Sequence, residues 1–371
     1  MLRERKRQKA ELILIILVLS NPSTEMKSML NEYVKPWVND IEAYTPGKTI
    51  EGYVKLASNE NNYGPSPRVM DAIEKAKSEL HIYPHKDDEV REKIAGYCNT
   101  KAENIILGNG SDELFDLILK AFKGPCIGLN PSYSWYKIAA GILGEEYLEV
   151  NLNDDFTLSS EQFIDKSKRA NILFLCNPNN PTGTVIPEDK LREILDENKI
   201  TVIDEAYYEF YGKSAVPLLK KYDNLIVLRT FAKAFALAGL RIGYGIANSN
   251  IIDLLYKVKM PFTTNSVAQE AAISALDDLR YTESRVNKII KDREILFNKL
   301  RQKFRAFRSH ANFVLIDTTP IKSKEFYERL LERGIIVRNL GKFNGFRGEY
   351  CRISVGTSDE NRAFIRALEE L

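Results

Sequence analysis

The chain has 371 residues, of which 44% are hydrophobic and 28% are charged, as in a globular protein large enough for more than one domain. Its 53 Lys and Arg residues are nearly balanced by 51 Asp and Glu residues, which argues against a dedicated nucleic-acid-binding protein. The four cysteines lie far apart without a CxxC pair, and there are only three histidines. The sequence therefore predicts neither a disulfide framework nor a metal centre.

The N-terminal end differs in composition from the rest of the chain. A basic segment at residues 3–9 (RERKRQK) precedes an apolar run at residues 12–19 (LILIILVL). This is the outline of a secretory signal, but the run is much shorter than the roughly 20 residues of a membrane-spanning helix, and no A-x-A-like site follows it. We interpret residues 1–32 as an extension: a wrongly assigned start, with Met26 or Met29 as alternatives, a docking arm or an export signal. Nothing else favours an oxidising compartment, so a cytoplasmic location is expected.

Short apolar runs alternate with helical patterns from about residue 64 to residue 260. The runs lack polar alternation, and amphipathic stretches such as 112–122 and 188–197 lie between them. This pattern is typical of a mostly parallel sheet covered by helices on both faces, because both faces of each strand are buried. The sequence therefore predicts a large, doubly wound α/β domain over residues 64–262. Its seven strands are predicted near 105–107, 127–129, 148–150, 172–176, 202–203, 225–228 and 242–246.

The pattern changes after Pro261. A long helical stretch runs from Ser266 to about Phe304. Three apolar runs and two helical patterns follow it, at 313–316, 335–337, 353–355, 322–333 and 359–371. This mixture predicts a smaller α+β domain over residues 263–371, with the long helix as its connector to the large domain.

The residues after each apolar run are candidate site residues, because ligands of open α/β sheets bind beyond the carboxyl ends of the strands. After Leu107 the chain reads GNGSDE and then becomes helical. Glycines and a helix N-terminus are suited to binding a phosphate. The same residues, Gly110, Ser111 and Asp112, also fit an ordinary glycine turn with a Ser or Asp N-cap. The motif alone does not decide between the two interpretations.

Polar side chains follow three further runs. The turn CNPNNPTG at residues 176–183 is rigid enough to present Asn180 as a hydrogen-bond donor. Asp204 and Tyr207 follow another run, where they could also cap the next helix. Lys233 lies in the otherwise apolar segment TFAKAF, where partial desolvation would lower its pKa and favour a nucleophilic amine. The alternative is a lysine that extends from a helix into solvent.

These residues together have the order and local spacing of one enzyme class. The sequence resembles the fold-type I pyridoxal-phosphate (PLP) enzymes, and among them the aminotransferases, over about residues 33–371. The residues that carry this resemblance are Asn180, Asp204, Tyr207, Lys233 and Arg241. It implies a fold-type I PLP-dependent transferase, with a large seven-stranded domain and a smaller α+β domain, and pyridoxal 5'-phosphate as its cofactor.

The resemblance implies a role for each residue around the cofactor ring. Lys233 would bind the cofactor aldehyde covalently and carry a proton between the substrate Cα and the cofactor. Asp204 would keep the pyridine nitrogen protonated. Asn180 and Tyr207 would hydrogen-bond the phenolate oxygen, and Tyr133, in the sequence NPSY, would stack on the ring.

The resemblance also implies a set of residues that hold the 5'-phosphate. They are Gly110, Ser111, Asp112, Thr230 and Arg241. The guanidinium group of Arg241 suits this role because it is planar and stays charged. The family usually has Ser immediately before the lysine, where this chain has Ala232. The loss of that hydroxyl predicts cofactor binding weaker by about 1–3 kcal/mol, with the chemistry intact.

Further segments resemble the group of histidinol-phosphate aminotransferases. They are IEAYTPG at 41–47, LASNENNYGPSP at 56–67, YP at 83–84, AFALAGLR at 234–241 and RISVGT at 352–357. The similarity implies that Tyr63 reaches the cofactor phosphate of a partner subunit and that Arg352 binds the α-carboxylate of the 2-oxoacid or glutamate. Arg338 and Tyr44 would lie near the substrate phosphate or carboxylate. Residues 33–63 would contribute to the small domain and to the interface of a homodimer with a shared active site.

The expected reaction is reversible amino transfer between L-histidinol phosphate and 2-oxoglutarate, a step of histidine biosynthesis. Arginines can bind both substrates in turn, because guanidinium groups bind phosphate as well as carboxylate. The alternatives are an aromatic or broad-range aminotransferase, a threonine-phosphate decarboxylase, a PLP-binding protein without turnover and a membrane-anchored role based on residues 12–19. The expected partners are small-molecule substrates and a second copy of the chain, without nucleic acid or membrane.

Overall fold

The computed structural model of the chain describes residues 32–371. The basic segment 3–9 and the apolar run 12–19 lie outside these residues, so the interpretations of the extension remain predictions. The described chain up to Ala43 belongs to a first unit and contains a short 3-10 helix at Pro36–Asp40. Residues from Tyr44 onward form a second unit, which contains the strands and the candidate site.

Short strands and helices alternate along the second unit. Its strands are β1 Val54–Leu56, β2 Ile105–Gly108, β3 Cys126–Asn130, β4 Tyr147–Asn151, β5 Ile172–Cys176, β6 Ile200–Asp204, β7 Leu225–Thr230, β8 Gly243–Ala247, β9 Arg305–Phe307, β10 Phe313–Asp317, β11 Ile335–Gly341 and β12 Tyr350–Ser354. Its α-helices are α1 Pro67–Ala76, α2 Asp87–Cys98, α3 Ser111–Ala121, α4 Trp135–Leu143, α5 Ser160–Ser167, α6 Glu188–Leu195, α7 Tyr208–Tyr211, α8 Ser249–Val258, α9 Ser266–Leu276, α10 Leu279–Leu300, α11 Ser323–Leu331 and α12 Ser358–Glu369. Short 3-10 helices lie at Lys77–Glu79, Ala102–Asn104, Val216–Lys220 and Ala238–Leu240.

The larger sheet has the strand order β2-β8-β7-β6-β5-β3-β4. Its neighbours are parallel except at β8, which is antiparallel to both β2 and β7. Six of the seven predicted runs lie within these strands and the run at 242–246 begins one residue before β8, so the predicted α/β class with a mostly parallel, seven-stranded sheet is confirmed. Ile172 and Phe174 of β5 join one hydrophobic cluster, whereas Leu173 and Leu175 join another. Both faces of the strand are therefore buried, which explains why the runs lack polar alternation.

The carboxyl ends of the parallel strands meet at one edge of this sheet and place the candidate residues together. Asp204 is the last residue of β6 and Thr230 is the last residue of β7. The antiparallel β8 begins at the same edge, where Gly243 lies opposite both Thr230 and Gly108. A Cβ atom at Gly243 would lie 2.5 Å from the backbone nitrogen of Ser111. Glycine at this position therefore lets the turn before α3 approach the sheet.

The smaller sheet has the order β1-β11-β12-β10-β9. β1 is parallel to β11, and the other neighbours are antiparallel. A strand from before residue 64 therefore joins strands from after residue 300. The register places Arg338 of β11 opposite Arg352 of β12, which brings the two arginines close on the sheet. The predicted domain boundaries, at 1–32, 33–63, 64–262 and 263–371, remain predictions.

The predicted long helix from Ser266 to about Phe304 is wrong in one respect, because the structure divides it into α9 and α10. Asp278 has φ −125° and ψ 44°, which is not helical. The carboxylate of Asp277 pairs with Lys93, and its carbonyl accepts a hydrogen bond from Arg68 at 3.2 Å. Consecutive aspartates favour a break because their side chains compete for backbone hydrogen bonds.

Candidate active site

A cavity of about 410 Å³ lies at the carboxyl edge of the larger sheet. Every predicted site residue except Gly110 and Tyr63 lines it. These lining residues are Tyr44, Ser111, Asp112, Tyr133, Asn180, Asp204, Tyr207, Thr230, Lys233, Arg241, Arg338 and Arg352. We call the part formed by Asp204, Tyr207, Thr230 and Lys233 the cofactor end, and the part formed by Tyr44, Arg338 and Arg352 the substrate end.

Lys233 is the candidate nucleophile of the cofactor end. The turn that carries it follows β7, and its neighbours Phe231, Ala234 and Phe235 are buried. Its Nζ donates a hydrogen bond to the carbonyl oxygen of Ser58 at 3.1 Å. Burial, together with repulsion from Arg352, lowers the pKa of Lys233 to about 8. A substantial fraction of this amine is therefore neutral, and nucleophilic, near pH 8.

Asp204 is buried at the end of β6 and accepts two hydrogen bonds. The hydroxyl of Tyr136 donates to its Oδ2 at 2.6 Å, and the backbone N–H of Ala206 donates to its Oδ1 at 3.0 Å. Burial raises the pKa of Asp204 to about 6, while these two hydrogen bonds lower it. The carboxylate is therefore charged at neutral pH and can pair with a protonated ring nitrogen.

Sequence reasoning missed Tyr136 as a site residue. It is fully buried in α4, where the ring stacks on Phe174 at 5.4 Å, so its position in the sequence resembles that of a core residue. One feature of the sequence indicates that Tyr136 belongs to the site. It lies three residues after Tyr133, at the start of a helix that follows a strand end. A buried tyrosine hydroxyl needs a partner, and here that partner is Asp204.

Asn180 and Tyr207 both line the cavity, and each is hydrogen-bonded to another lining residue. Asn180 Oδ1 accepts a hydrogen bond from Arg352, so its Nδ2 remains a donor. The Tyr207 ring packs edge-on against Phe313 at 5.2 Å, and its hydroxyl contacts Nδ2 of Asn59 at 2.9 Å. Asn59 is a second contact that sequence reasoning did not assign.

The turn before α3 forms a cradle with Arg241. Gly110 has φ +76°, and a Cβ atom there would lie 2.6 Å from Nη2 of Arg241. Arg241 pairs with Asp112 at 2.8 Å, and the Tyr133 hydroxyl donates to the same carboxylate at 3.1 Å. The N-terminus of α3 and a guanidinium group therefore face the same space, which suits a phosphate.

Thr230 and Ala232 complete the cofactor end beside this cradle. The Thr230 hydroxyl accepts a hydrogen bond from the backbone N–H of Ala232 at 3.0 Å. The Ala232 side chain is apolar, so Thr230 is the hydroxyl that this turn offers to an anion.

Arginine side chains dominate the substrate end. Arg352 is buried, and its Nη2 donates to the carbonyl oxygen of Ala57 at 2.8 Å. Its Nε has no hydrogen-bond partner within the described residues. Arg338 Nη2 donates to the carbonyl oxygen of Thr45 at 3.0 Å, and Tyr44 packs edge-on against Trp135 at 6.3 Å. Two guanidinium groups that line one cavity are suited to binding an anion.

Tyr63 lies outside the cavity of its own chain. Its hydroxyl accepts a hydrogen bond from the backbone N–H of Ser358 at 3.1 Å and contacts Asp292 at 3.3 Å. The Nζ of Lys288 lies 4.7 Å from the centroid of its ring. Its role towards a partner subunit therefore stays a prediction.

The side chains of the cofactor end fit the chemical groups of PLP. The cofactor end provides a lysine of lowered pKa for the aldehyde and a buried carboxylate for the ring nitrogen, and the adjacent cradle of the α3 N-terminus and Arg241 suits the phosphate. Within residues 32–371, no group of His, Cys, Asp and Glu side chains is arranged to hold a metal ion.

Comparison with known proteins agrees with this geometry. The family described as aminotransferase class I and II matches residues 51–368. The chain belongs to this family, and it is therefore a PLP-dependent enzyme.

Relatives with a more specific name match nearly the whole chain. A histidinol-phosphate aminotransferase of Caldanaerobacter subterraneus subsp. tengcongensis is 39% identical over 357 residues, or 93% of this chain and 99% of that protein. The crystal structure of the Clostridium acetobutylicum histidinol-phosphate aminotransferase has a TM-score of 0.80 and 30% identity, over 85% of this chain and 98% of that one. The Sinorhizobium meliloti histidinol-phosphate aminotransferase, solved in complex with pyridoxal-5'-phosphate, has a TM-score of 0.83 and 26% identity, over 91% of this chain and 96% of that one.

Proposed function

We propose that the chain catalyses reversible amino transfer between L-histidinol phosphate and 2-oxoglutarate in histidine biosynthesis. The relatives of that name support this substrate pair. The observation that carries the proposal is the arginine pair Arg338 and Arg352, which lines the same cavity as Lys233. Histidinol phosphate carries a phosphate and no carboxylate, whereas glutamate carries two carboxylates, and guanidinium groups bind both kinds of anion.

The residues of the cofactor end would divide the work of binding and proton transfer. When bound, PLP supplies the electron-withdrawing ring that accepts the electron pair of a broken Cα–H bond. Lys233 Nζ would hold the aldehyde carbon and later take the proton from Cα of the amino donor. Asp204 would hold a proton on the ring nitrogen by pairing with it. Asn180 and Tyr207 would hydrogen-bond the phenolate oxygen, and Tyr133 would stack on the ring.

The cradle would bind the 5'-phosphate through Gly110, Ser111, Asp112, Thr230 and Arg241. The N–H groups at the start of α3 and the Arg241 guanidinium would donate to the phosphate. Asp112 pairs with Arg241 at 2.8 Å, so the Asp112 carboxylate would orient that guanidinium. The backbone N–H of Asp112 would donate to the phosphate. Ala232 contributes no hydroxyl to this set.

The substrate end would bind each substrate through the same arginines. Arg352 would bind the α-carboxylate of glutamate or 2-oxoglutarate, and this role is supported by its place in the lining of the cavity that also holds Lys233. Arg338 and Tyr44 would contact the distal phosphate or carboxylate. Both substrates would use this site, one after the other. Such reuse requires a ping-pong order, which we propose for the reaction.

We further propose a homodimer in which Tyr63 reaches the cofactor phosphate of the partner subunit. The position of Tyr63 outside its own cavity supports this arrangement. Tyr83 and Phe262 stack at 4.6 Å and are both largely exposed, an apolar surface that a second subunit could cover. Light scattering tests the assembly. In addition, inactive Lys233→Ala chains can be mixed with weakened Tyr63→Phe chains. If the site is shared, a mixed dimer has one site with an intact Lys233 from one chain and an intact Tyr63 from the other, so the mixture should regain activity.

We propose a cytoplasmic location for the enzyme. In the described part of the chain, no helix is long and apolar enough to cross a membrane. Fractionation of cells that express the full chain tests this proposal.

A half-reaction tests the proposed substrate. The purified, PLP-loaded protein is mixed with single amino donors without an oxoacid, and the visible spectrum follows conversion of the cofactor to its amino form. We expect L-histidinol phosphate to convert it faster than phenylalanine or tyrosine. Faster conversion by the aromatic donors would instead indicate a broad-range aminotransferase. A loaded protein that no donor converts would indicate a decarboxylase or a protein without turnover.

A further inference from the structure

Asn59 links the two sheets at the cofactor end. It follows β1, lines the cavity and is 1% exposed, with a backbone φ of +55°. Asn312, which directly precedes β10, donates a hydrogen bond from Nδ2 to the Asn59 carbonyl oxygen at 2.9 Å. This bond fixes the backbone of Asn59 in a left-handed conformation, which asparagine adopts more readily than most residues.

Ser354 fixes which way the Asn59 amide points. Ser354 Oγ accepts a hydrogen bond from the Asn59 backbone N–H at 2.9 Å and donates its own proton to Asn59 Oδ1 at 2.8 Å. The amide oxygen therefore faces Ser354, and Nδ2 faces Tyr207 Oη at 2.9 Å. Nδ2 is a donor only, so the Tyr207 oxygen must accept this bond.

The hydroxyl proton of Tyr207 is consequently left for another acceptor. Burial raises the pKa of Tyr207, so this proton is present at neutral pH. Within the described residues, the hydroxyl has no acceptor of its own, and the ring side is closed by Phe313. The remaining direction is the cavity, which Tyr207 lines.

We propose that Asn59 is a positioning residue that fixes Tyr207 as a hydrogen-bond donor into the cavity, towards the phenolate oxygen of the cofactor. The inference rests on the role proposed above for Tyr207, but not on the identity of the amino donor. A donor that itself accepts a hydrogen bond is also a stronger donor, because the two bonds polarise each other. Ser354 lies two residues after Arg352 on β12, so the strand that carries the substrate-binding arginine also sets the direction of this bond.

The variant Asn59→Asp tests the direction of the hydrogen bond. Asp tolerates positive φ as Asn does, and it has almost the same shape, but it has no donor facing Tyr207. The carboxylate would accept the Tyr207 proton and turn it away from the cofactor. In the PLP-loaded protein, the phenolate oxygen shares a proton with the nitrogen that Lys233 contributes. Loss of a hydrogen bond to that oxygen would raise the pKa of this nitrogen.

The readout is the pH midpoint of the visible absorption change of the PLP-loaded protein, measured without any amino donor. We expect Asn59→Asp to raise this midpoint by roughly one to two pH units, the shift that corresponds to one hydrogen bond to a charged group. We expect Tyr207→Phe to raise it in the same direction. A midpoint for Asn59→Asp within about 0.2 units of the wild-type value would overturn the proposal.

A double variant separates positioning from the charge of the new carboxylate. In the Tyr207→Phe background, Asn59→Asp should add less than half of the shift that it causes in the wild type. An equal shift in both backgrounds would mean that the charge acts on the cofactor directly, and this outcome would also overturn the proposal. Asn59→Gly accepts the same φ and adds no charge, so it should shift the midpoint less than Asn59→Asp.

Ser354→Ala keeps the test decisive if Asn59→Asp fails to bind cofactor. This variant leaves residue 59 unchanged and removes the hydroxyl that fixes the amide, so the amide can rotate and present its oxygen to Tyr207. A smaller upward shift of the midpoint is expected, and an unchanged midpoint would contradict the proposal. Because no amino donor is used, failure of this test is distinct from failure of the proposed reaction.

Discussion

The two ends of the cavity differ in how their polar groups are partnered. At the cofactor end, Asp204 accepts two hydrogen bonds and Tyr207 accepts one, all from buried neighbours. At the substrate end, Arg352 is also buried and donates to Asn180 and to the carbonyl oxygen of Ala57, but its Nε has no partner within the described residues. The first arrangement would hold one ligand in a fixed orientation, whereas the arginines of the second would bind anions that enter and leave.

The largest effect is expected at the nucleophile of the cofactor end. Lys233→Met should abolish covalent attachment of PLP and slow amino transfer by at least about a thousandfold, because no other amine lies in the same segment to replace it. Mass spectrometry after borohydride reduction measures the attachment. Residual attachment at another lysine of the chain would contradict the assignment of Lys233.

The same variant should also change stability in a pH-dependent way. The pKa of Lys233 is about 8 in the folded cofactor-free protein and 10.5 as a free side chain, so folding of the charged form is unfavourable. The cost is complete below pH 8, roughly 3 kcal/mol, and disappears as the pH rises to about 10.5. Cofactor-free Lys233→Met should therefore be more stable than the wild type at pH 7 in urea unfolding. Equal stability at pH 7 would show that this lysine is not desolvated.

The next largest effect should distinguish the substrate end. Arg352→Lys keeps the charge but loses the planar fork, so kcat/KM for 2-oxoglutarate should fall by roughly 30- to 100-fold, mainly through KM. Cofactor binding should fall by much less, because Asp204, Thr230 and Lys233 keep their contacts and only Asn180 loses its hydrogen bond from Arg352. Arg347→Lys, at an exposed arginine of the loop between β11 and β12, is the matched control. A fall in cofactor affinity equal to the fall in kcat/KM would remove the distinction between the two ends.

A smaller effect is expected at Tyr136. Tyr136→Phe removes a hydrogen bond that lowers the pKa of Asp204, so this pKa should rise above about 6. Activity at neutral pH should fall about tenfold, and the acid limb of the pH profile should move upwards. Tyr147→Phe is a suitable control, because Tyr147 stacks on the same Phe174 ring and has no bond to Asp204. A profile that keeps its acid limb would contradict this role of Tyr136.

The smallest effect is expected at Ala232. Ala232→Ser restores the hydroxyl that the family usually has there, and it should tighten PLP binding by about fivefold, the lower end (about 1 kcal/mol) of the range expected for this hydroxyl, without a change in kcat. The dissociation constant from a cofactor titration is the measurement. An unchanged constant would mean that Thr230 and Arg241 already satisfy the phosphate.

Local patterns made the sheet and its strand-end residues predictable. The buried strand β5, for example, is a continuous apolar run, Asp204 directly follows the run at 202–203, and Lys233 comes five residues after the run at 225–228. The contacts that orient these residues come from distant parts of the chain and carry no local pattern. Asn59 meets Tyr207 across 148 positions, and Tyr136 meets Asp204 across 68.

Two further features show the same limit. The break at Asp278 interrupts an otherwise continuous helical pattern, because Asp277 has tertiary partners on other helices. The resemblance assigned Tyr63 to the cofactor site of a partner subunit, and within the described residues its hydroxyl contacts Asp292 and Ser358 and lies outside the cavity of its own chain. That role depends on a second subunit and stays a prediction.

One single-turnover measurement tests the central proposal most directly. PLP-loaded enzyme is mixed with L-histidinol phosphate or with L-histidinol, which differ only in the phosphate, and the apparent second-order rate constant of cofactor conversion is compared. If the arginines of the substrate end recognise the phosphate, the phosphorylated donor should react at least about a hundredfold faster, since charged hydrogen bonds contribute about 1.5–3 kcal/mol each. Equal rate constants for the two donors would contradict the proposed substrate.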